Sequence, residues 1–236
     1  MKQFFLAFLF LVSLISLKAQ SPQFIEWQAL TKNDISLQPE YGGKAKNAEQ
    51  LASDKEFIEL MLEEFEGDTI AASNKMSEVG FSYLYRRRDF KTAMKRFNQA
   101  YLLNPNNADA YYGYGTVYFN LGAMSEAREQ YDKGLLLNPK HNAMLVDYGT
   151  TYLGDYYSSV EKNENNPGKH LETAAEYLNK ALAVEPEDSN ALFKLSIVHL
   201  YAGDCPKAKQ YLDKAKALKN PNVSPAYEAE LNARCK

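Results

Sequence analysis

Leu102-Leu103-Asn104-Pro105 returns 34 residues later as Leu136-Leu137-Asn138-Pro139. A period of that length marks architectures that stack one small unit on the next. Between the two prolines the residues fall where a helical hairpin needs them. Tyr111, Tyr114, Gly115 and Tyr118 share one face of a first helix, and Gly115 removes the side chain that would hold a second helix away. Gly122 suits the turn. Ala127, Tyr131 and Gly134 then recur at helical spacing on a second helix, and Pro139 follows where that helix must stop.

The register extends both ways. Upstream, Gly80 and Tyr83 take the first-helix places and Ala93, Phe97, Ala100 and Pro105 the second-helix places, with one extra residue in the turn Arg86-Arg87-Arg88-Asp89. Downstream, Leu145, Gly149 and Tyr152 form a third first helix. Ala174, the counterpart of Ala127, then arrives 47 residues on instead of 34, so 13 residues are inserted inside that hairpin. Leu178, Ala181 and Pro186 resume the pattern. A fourth hairpin follows in Leu192, Ser196, His199, Gly203, Ala208, Leu212 and Ala215, with Ser for the glycine, His for the tyrosine, and Pro221 one residue late.

This pattern resembles the tetratricopeptide repeat (TPR) family. Its signature places an aromatic, a glycine and a tyrosine on the first helix, then alanine, aromatic and proline on the second. Tyr111, Gly115, Tyr118, Ala127, Tyr131 and Pro139 match it almost fully, and the likeness covers about residues 70–222. It implies an all-α fold, a right-handed solenoid of about four helical hairpins with capping helices at both ends. Such an array buries its core between neighbouring hairpins and needs no single centre. Many of the 17 tyrosines occupy repeat positions, so their abundance is mostly structural.

The flanks divide as follows. Residues 1–19 read as a signal peptide: Met1-Lys2-Gln3 is a short positive start, Phe4 to Leu17 is apolar, and Leu17-Lys18-Ala19 precedes a cut expected after Ala19. The apolar run is shorter than the ~20 residues of a spanning helix. Residues 20–52 are expected as an irregular arm, in which Phe24, Ile25, Trp27 and Tyr41 either lie on the array or belong to a flexible leader. Residues 53–71 are expected as a capping helix, opened by Ser53 and Glu56 at capping-box spacing. The array then runs over 72–222 with its insertion around 155–170, and 223–236 form a closing helix. These features point to a periplasmic or secreted protein.

Cleavage leaves 25 basic against 30 acidic residues, a balance that argues against a nucleic-acid partner. No membrane-spanning segment is expected in the mature chain. An oxidising compartment permits a disulfide between Cys205 and Cys235, which would close a 30-residue loop and stabilise the array by about 3–4 kcal/mol on chain-entropy grounds. Two free thiols or an intermolecular bridge are the alternatives.

His141, His170 and His199 fall in unrelated parts of the pattern, and neither a metal-ligand spacing nor a phosphate-binding loop accompanies them. No cofactor, no metal and no catalytic residue are expected. The resemblance implies binding instead: first helices of a TPR array line a concave side on which family members commonly hold a peptide or partner helix. Rotating one step from each packing face selects Phe81, Leu84 and Tyr85, then Tyr112, Thr116, Phe119 and Asn120, then Val146, Thr150 and Leu153, then Phe193, Ile197, Leu200 and Tyr201. Only Asn120 and Lys194 resemble the carboxylate clamp of chaperone-tail-binding members. An apolar face of this kind calls for a cover: a partner's peptide or helix, residues 20–43, or a second copy by self-association. The expected function is a non-catalytic protein-protein interaction scaffold of the bacterial cell envelope. The alternative is a carrier for a small apolar ligand in the same concavity.

Overall fold

The repeated Leu-Leu-Asn-Pro motif is a turn. Asn104 and Asn138 each end a helix and accept a backbone N–H two residues on, from Asn106 at 3.0 Å and from Lys140 at 3.1 Å. Asn220 does the same for Asn222 at 2.9 Å after the fourth hairpin. An Asx turn of this kind satisfies backbone that the helix leaves unpaired, and the proline behind it prevents continuation.

The computed structural model describes residues 21–236; the expected signal peptide and its cut after Ala19 lie outside them. Among the described residues the regular structure is helical. After α1 (Pro22–Thr31) and α2 (Ala48–Glu64) come four hairpins: α3 (Thr69–Ser82) with α4 (Phe90–Leu103), α5 (Ala108–Asn120) with α6 (Met124–Leu137), α7 (Asn142–Glu161) with α8 (Gly168–Val184), and α9 (Ser189–Tyr201) with α10 (Cys205–Ala217). α11 (Pro225–Arg234) closes the chain. Asp68, Asp89, Asn107, His141, Asp188 and Asp204 each cap a helix of the array through the side chain.

The first three hairpins close by seating a large side chain where a glycine leaves room; in the fourth, Ser196 takes the glycine's place and donates to the Ala208 carbonyl at 2.7 Å. A Cβ on Gly115 would overlap the Tyr131 ring, and one on Gly80 would overlap Phe97. Tyr131 and Phe97 are fully buried, and burying a side chain of that size contributes about 1.5–3 kcal/mol. The extra residue of the first turn is absorbed as a π-turn over Tyr83–Arg87, which ends at Arg88 in the left-handed region (φ 52°). The insertion in the third hairpin lengthens both helices, so α7 runs 20 residues where α5 runs 13. Asn163 and Asn166, both at positive φ, turn the chain between α7 and α8.

Two expected boundaries differ. Residues 20–52 are not irregular throughout: Ser21 caps α1 by accepting from the Phe24 N–H at 3.1 Å, with Pro22 at the first helical position. Phe24 and Trp27 are the only buried residues of α1, too few to set up a visible period. The leading capping helix begins at Ala48 instead of Ser53, because Asn47 and Gln50 form the reciprocal capping box, and it ends at Glu64. Phe57, Ile58 and Met61 of α2, with Phe65 that caps its end, pack on Ala72, Met76 and Leu103.

Candidate interaction surfaces

Of the fourteen residues selected for the concave face, Leu84, Thr116, Val146, Leu153 and Leu200 are buried, seven are half-buried, and Tyr85 and Asn120 are exposed. Leu84 belongs to the core with Ala93, Met94 and Phe97, Val146 and Leu153 to the core with Leu171 and Leu178, and Leu200 to the core with Ala208, Leu212 and Leu231. Thr116 and Thr150 turn their hydroxyls onto their own helix, donating to the Tyr112 and Val146 carbonyls at 2.7 Å. Asn120 donates to the Thr116 carbonyl at 2.8 Å. What remains open is mainly aromatic. Phe81 stacks on Tyr85 with centroids 6.0 Å apart and lies 5.2 Å from the Tyr112 ring.

A polar pair lies beneath this aromatic surface. The Tyr112 hydroxyl donates to Asp147 Oδ2 at 3.0 Å. Burial pushes the Asp147 carboxyl above its ordinary range, opposed by the Lys194 ammonium on α9, and burial holds Lys194 below its own range, opposed by Asp147. Asp147 was no part of the sequence selection. It sits one residue beyond Val146, and only its partner on the preceding repeat distinguishes it from a solvated acid.

The fourth hairpin's share of the concave face is taken by the chain itself. Phe193 meets the Tyr227 ring of α11 edge-on at 5.1 Å, and Ser196 Oγ is 2.7 Å from the Tyr227 hydroxyl. Tyr201 meets Tyr157 of the lengthened α7 at 5.4 Å and donates to Glu230 at 2.9 Å, while Arg234 covers its ring at 4.8 Å. Cys205 and Cys235 are bonded, with Cα atoms 5.5 Å apart, which ties the end of α11 to the start of α10.

The N-terminal arm lies on the other side of the array, across the second helices. Asn98 of α4 donates to the Ser36 and Gln38 carbonyls at 2.9 and 2.8 Å and accepts from the Tyr41 N–H at 3.4 Å. Glu40 pairs with Lys133 of α6, and Asp34 with Lys95 of α4 at 3.6 Å. Phe24 meets Tyr118 edge-on at 5.9 Å, and Ser21 Oγ donates to the Leu121 carbonyl. Tyr111, Tyr114 and Tyr118 therefore face the arm from the side of α5 opposite Tyr112, Thr116 and Phe119. The sequence carries no periodic signal for Asn98, since its partners are backbone groups some 60 residues away.

Tetratricopeptide repeat family models match residues 84–145 and 169–223, which between them include parts of all four hairpins. The chain belongs to the TPR family. Among solved structures it is similar to pilF of Pseudomonas aeruginosa, 24% identical with a TM-score of 0.56 over 70% of this chain and 68% of that one. It is also similar to TTC0263, a thermophilic TPR protein of Thermus thermophilus, 22% identical with a TM-score of 0.56 over 69% and 80%. At such identities the likeness is one of fold. No curated protein matches the chain.

TPR proteins are protein-interaction scaffolds. In this TPR protein the three histidines take structural places: His141 caps α7 and lies 2.8 Å from Asp109, His170 stacks near Tyr152, and His199 stacks on Tyr211. No helix among the described residues is long and apolar enough to cross a membrane.

Proposed function

We propose that this TPR protein is a non-catalytic scaffold of the bacterial cell envelope that holds a peptide or helix of a partner protein on the concave side of α3, α5 and α7. The observation that carries the reading is the placement of residues 21–43. They lie across α4 and α6, on the side away from Tyr112 and Phe119, so the chain's own arm leaves the concave aromatics uncovered. Tyr85 is 58% exposed, and Phe81, Tyr112 and Phe119 are half-buried. Rigid aromatic rings of this kind anchor protein interfaces at little entropic cost. The signal-like leader and the Cys205–Cys235 bond support an exported, oxidising location.

Photoreactive residues at Tyr85 and Phe119, introduced in the native host, test the reading. Crosslinks from both positions to one partner, and none from a photoreactive residue at exposed Lys209, support it. Crosslinks confined to a second copy, or to lipid, would replace it by self-association or by apolar-ligand carriage.

A further inference from the structure

The arm fills the first of the clefts that the repeat generates. Second helices of successive hairpins leave a furrow between them, floored by the first helix that separates them. Between α4 and α6 the furrow is lined by Asn98, Tyr101, Tyr111 and Lys133, and it holds residues 36–41 of the arm. Moving 34 residues along α4 and α5, and 47 residues from α6 to α8, converts this set into Asp132, Leu135, Leu145 and Lys180. Those four, with Leu136, Pro139 and Tyr177, line an open cleft of about 540 Å³ between α6 and α8. Leu136 at its rim is 83% exposed.

The two clefts share their internal geometry. The Tyr114 hydroxyl donates to Asn98 Oδ1 at 2.7 Å, and its counterpart Tyr148 donates to Asp132 Oδ1 at 2.9 Å. The end of the furrow that receives Phe24 in the first cleft is closed by the chain in the second: Arg128 lies 4.6 Å over the Tyr152 ring and pairs with Asp155, and Tyr177 stacks on Tyr148 at 4.0 Å. The room left matches the short segment 36–41 and not the whole arm.

One exchange changes the chemistry. Where Asn98 presents an amide N–H₂ to two carbonyls, Asp132 presents a second carboxylate oxygen. A carbonyl-offering segment such as the arm of a second copy would be repelled there, whereas a basic side chain would be held by a charge-assisted bond. Lys180 stands in the place of Lys133, which pairs with Glu40, and is itself paired with Glu176 on its own exposed helix face.

We propose that the cleft between α6 and α8 docks a short extended segment of a partner protein that sets an Arg or Lys on Asp132 and an adjoining apolar side chain on Leu135, Leu136 and Leu145. An acidic residue further along the segment meets Lys180. This surface is separate from the concave side, so one TPR chain engages two partners or two parts of one.

The test is selection of a displayed library of random short peptides on the full mature chain. Enriched peptides should join Arg or Lys to a large apolar residue. Their Kd should rise by about tenfold or more with Asp132→Asn and with Leu136→Glu, and should not change with Tyr85→Ala on the concave side. Both cleft substitutions lie at exposed positions, and Asn at 132 keeps the acceptor for Tyr148, as Asn98 does for Tyr114. The proposal is overturned by a library that fails to enrich, by enriched peptides without a basic residue, or by binding that follows Tyr85 and not Asp132. A wild-type dimer in sedimentation that Leu136→Glu converts to monomer would overturn it in favour of a second copy.

Discussion

Asn98 and Tyr114 join the first two hairpins by a fully buried hydrogen bond of 2.7 Å, and the same Asn98 amide holds the arm by two backbone carbonyls. The side chain thus has an inward and an outward duty that substitution can separate. Asn98→Asp keeps the acceptor for Tyr114, loses both donors, and sets a carboxylate oxygen against the Ser36 and Gln38 carbonyls. It should weaken docking of the arm by about 2 kcal/mol or more while leaving the array folded. Limited proteolysis should cut within residues 30–45 faster than in wild type, with unchanged helical circular dichroism. An unchanged cleavage rate would assign the holding of the arm to its other contacts, among them those of Phe24, Trp27, Leu37 and the Glu40–Lys133 pair.

Close packing at Gly115 yields a second expectation. A methyl group there would meet the Tyr131 ring and, at 3.0 Å, the Ala127 carbonyl oxygen, which is backbone and cannot swing aside. Gly115→Ala should therefore cost about 1–3 kcal/mol by overpacking, against the general tendency of alanine to favour a helix. Gly168→Ala, whose nearest neighbour would be 3.9 Å away, should change stability by less than about 0.5 kcal/mol or raise it. Denaturant midpoints of the two variants give the comparison.

The hairpins were legible in the sequence because their geometry forces residue types. A glycine faces the large side chain in the first three hairpins, and a proline follows each second helix, preceded by asparagine in three of the four, so the period shows through Gly115, Tyr131, Asn138 and Pro139. The arm was not legible as a docked element because it is held by Asn98 through backbone groups, and backbone carries no residue signature. Its helix α1 has a single buried pair, Phe24 and Trp27. The rotation that selected the concave residues carries no signal for what folds back upon α9. Phe193 and Tyr201 are covered by Tyr227 and Tyr157, contacts set by the path of α11 and the length of α7, which repeat spacing does not encode.

The bond between Cys205 and Cys235 closes 30 residues of chain and should contribute about 3–4 kcal/mol through the unfolded state. Intact mass of the protein isolated without reductant should show two alkyl groups added only after reduction. Equal labelling with and without reductant would contradict the bond. In the Cys205→Ser, Cys235→Ser double variant, amide exchange should quicken first over residues 225–234, because α11 is then held without the disulfide, by the contacts of Tyr227 with Phe193 and Ser196, of Glu230 and Arg234 with Tyr201, and of Leu231 with the core of the fourth hairpin.

His199 occupies the place where the repeat signature has tyrosine, and its ring stacks on Tyr211 at 5.3 Å with an interplanar angle of 11°. Burial, joined by the Lys207 ammonium and opposed by the Asp204 carboxylate 3.7 Å away, holds the imidazole below its ordinary value of 6.5. A histidine whose pKa is lower folded than unfolded takes up its proton in the unfolded chain first. Its contribution to stability is therefore complete above pH 6.5 and is lost as pH falls through that value toward the folded pKa. The melting temperature should fall between pH 7.5 and pH 5.5, and His199→Tyr, which restores the stacking ring without the titrating nitrogen, should flatten that fall. Thermal melts of the two proteins across this range decide it: parallel curves would mean that His199 is as readily protonated in the folded chain as in the unfolded one.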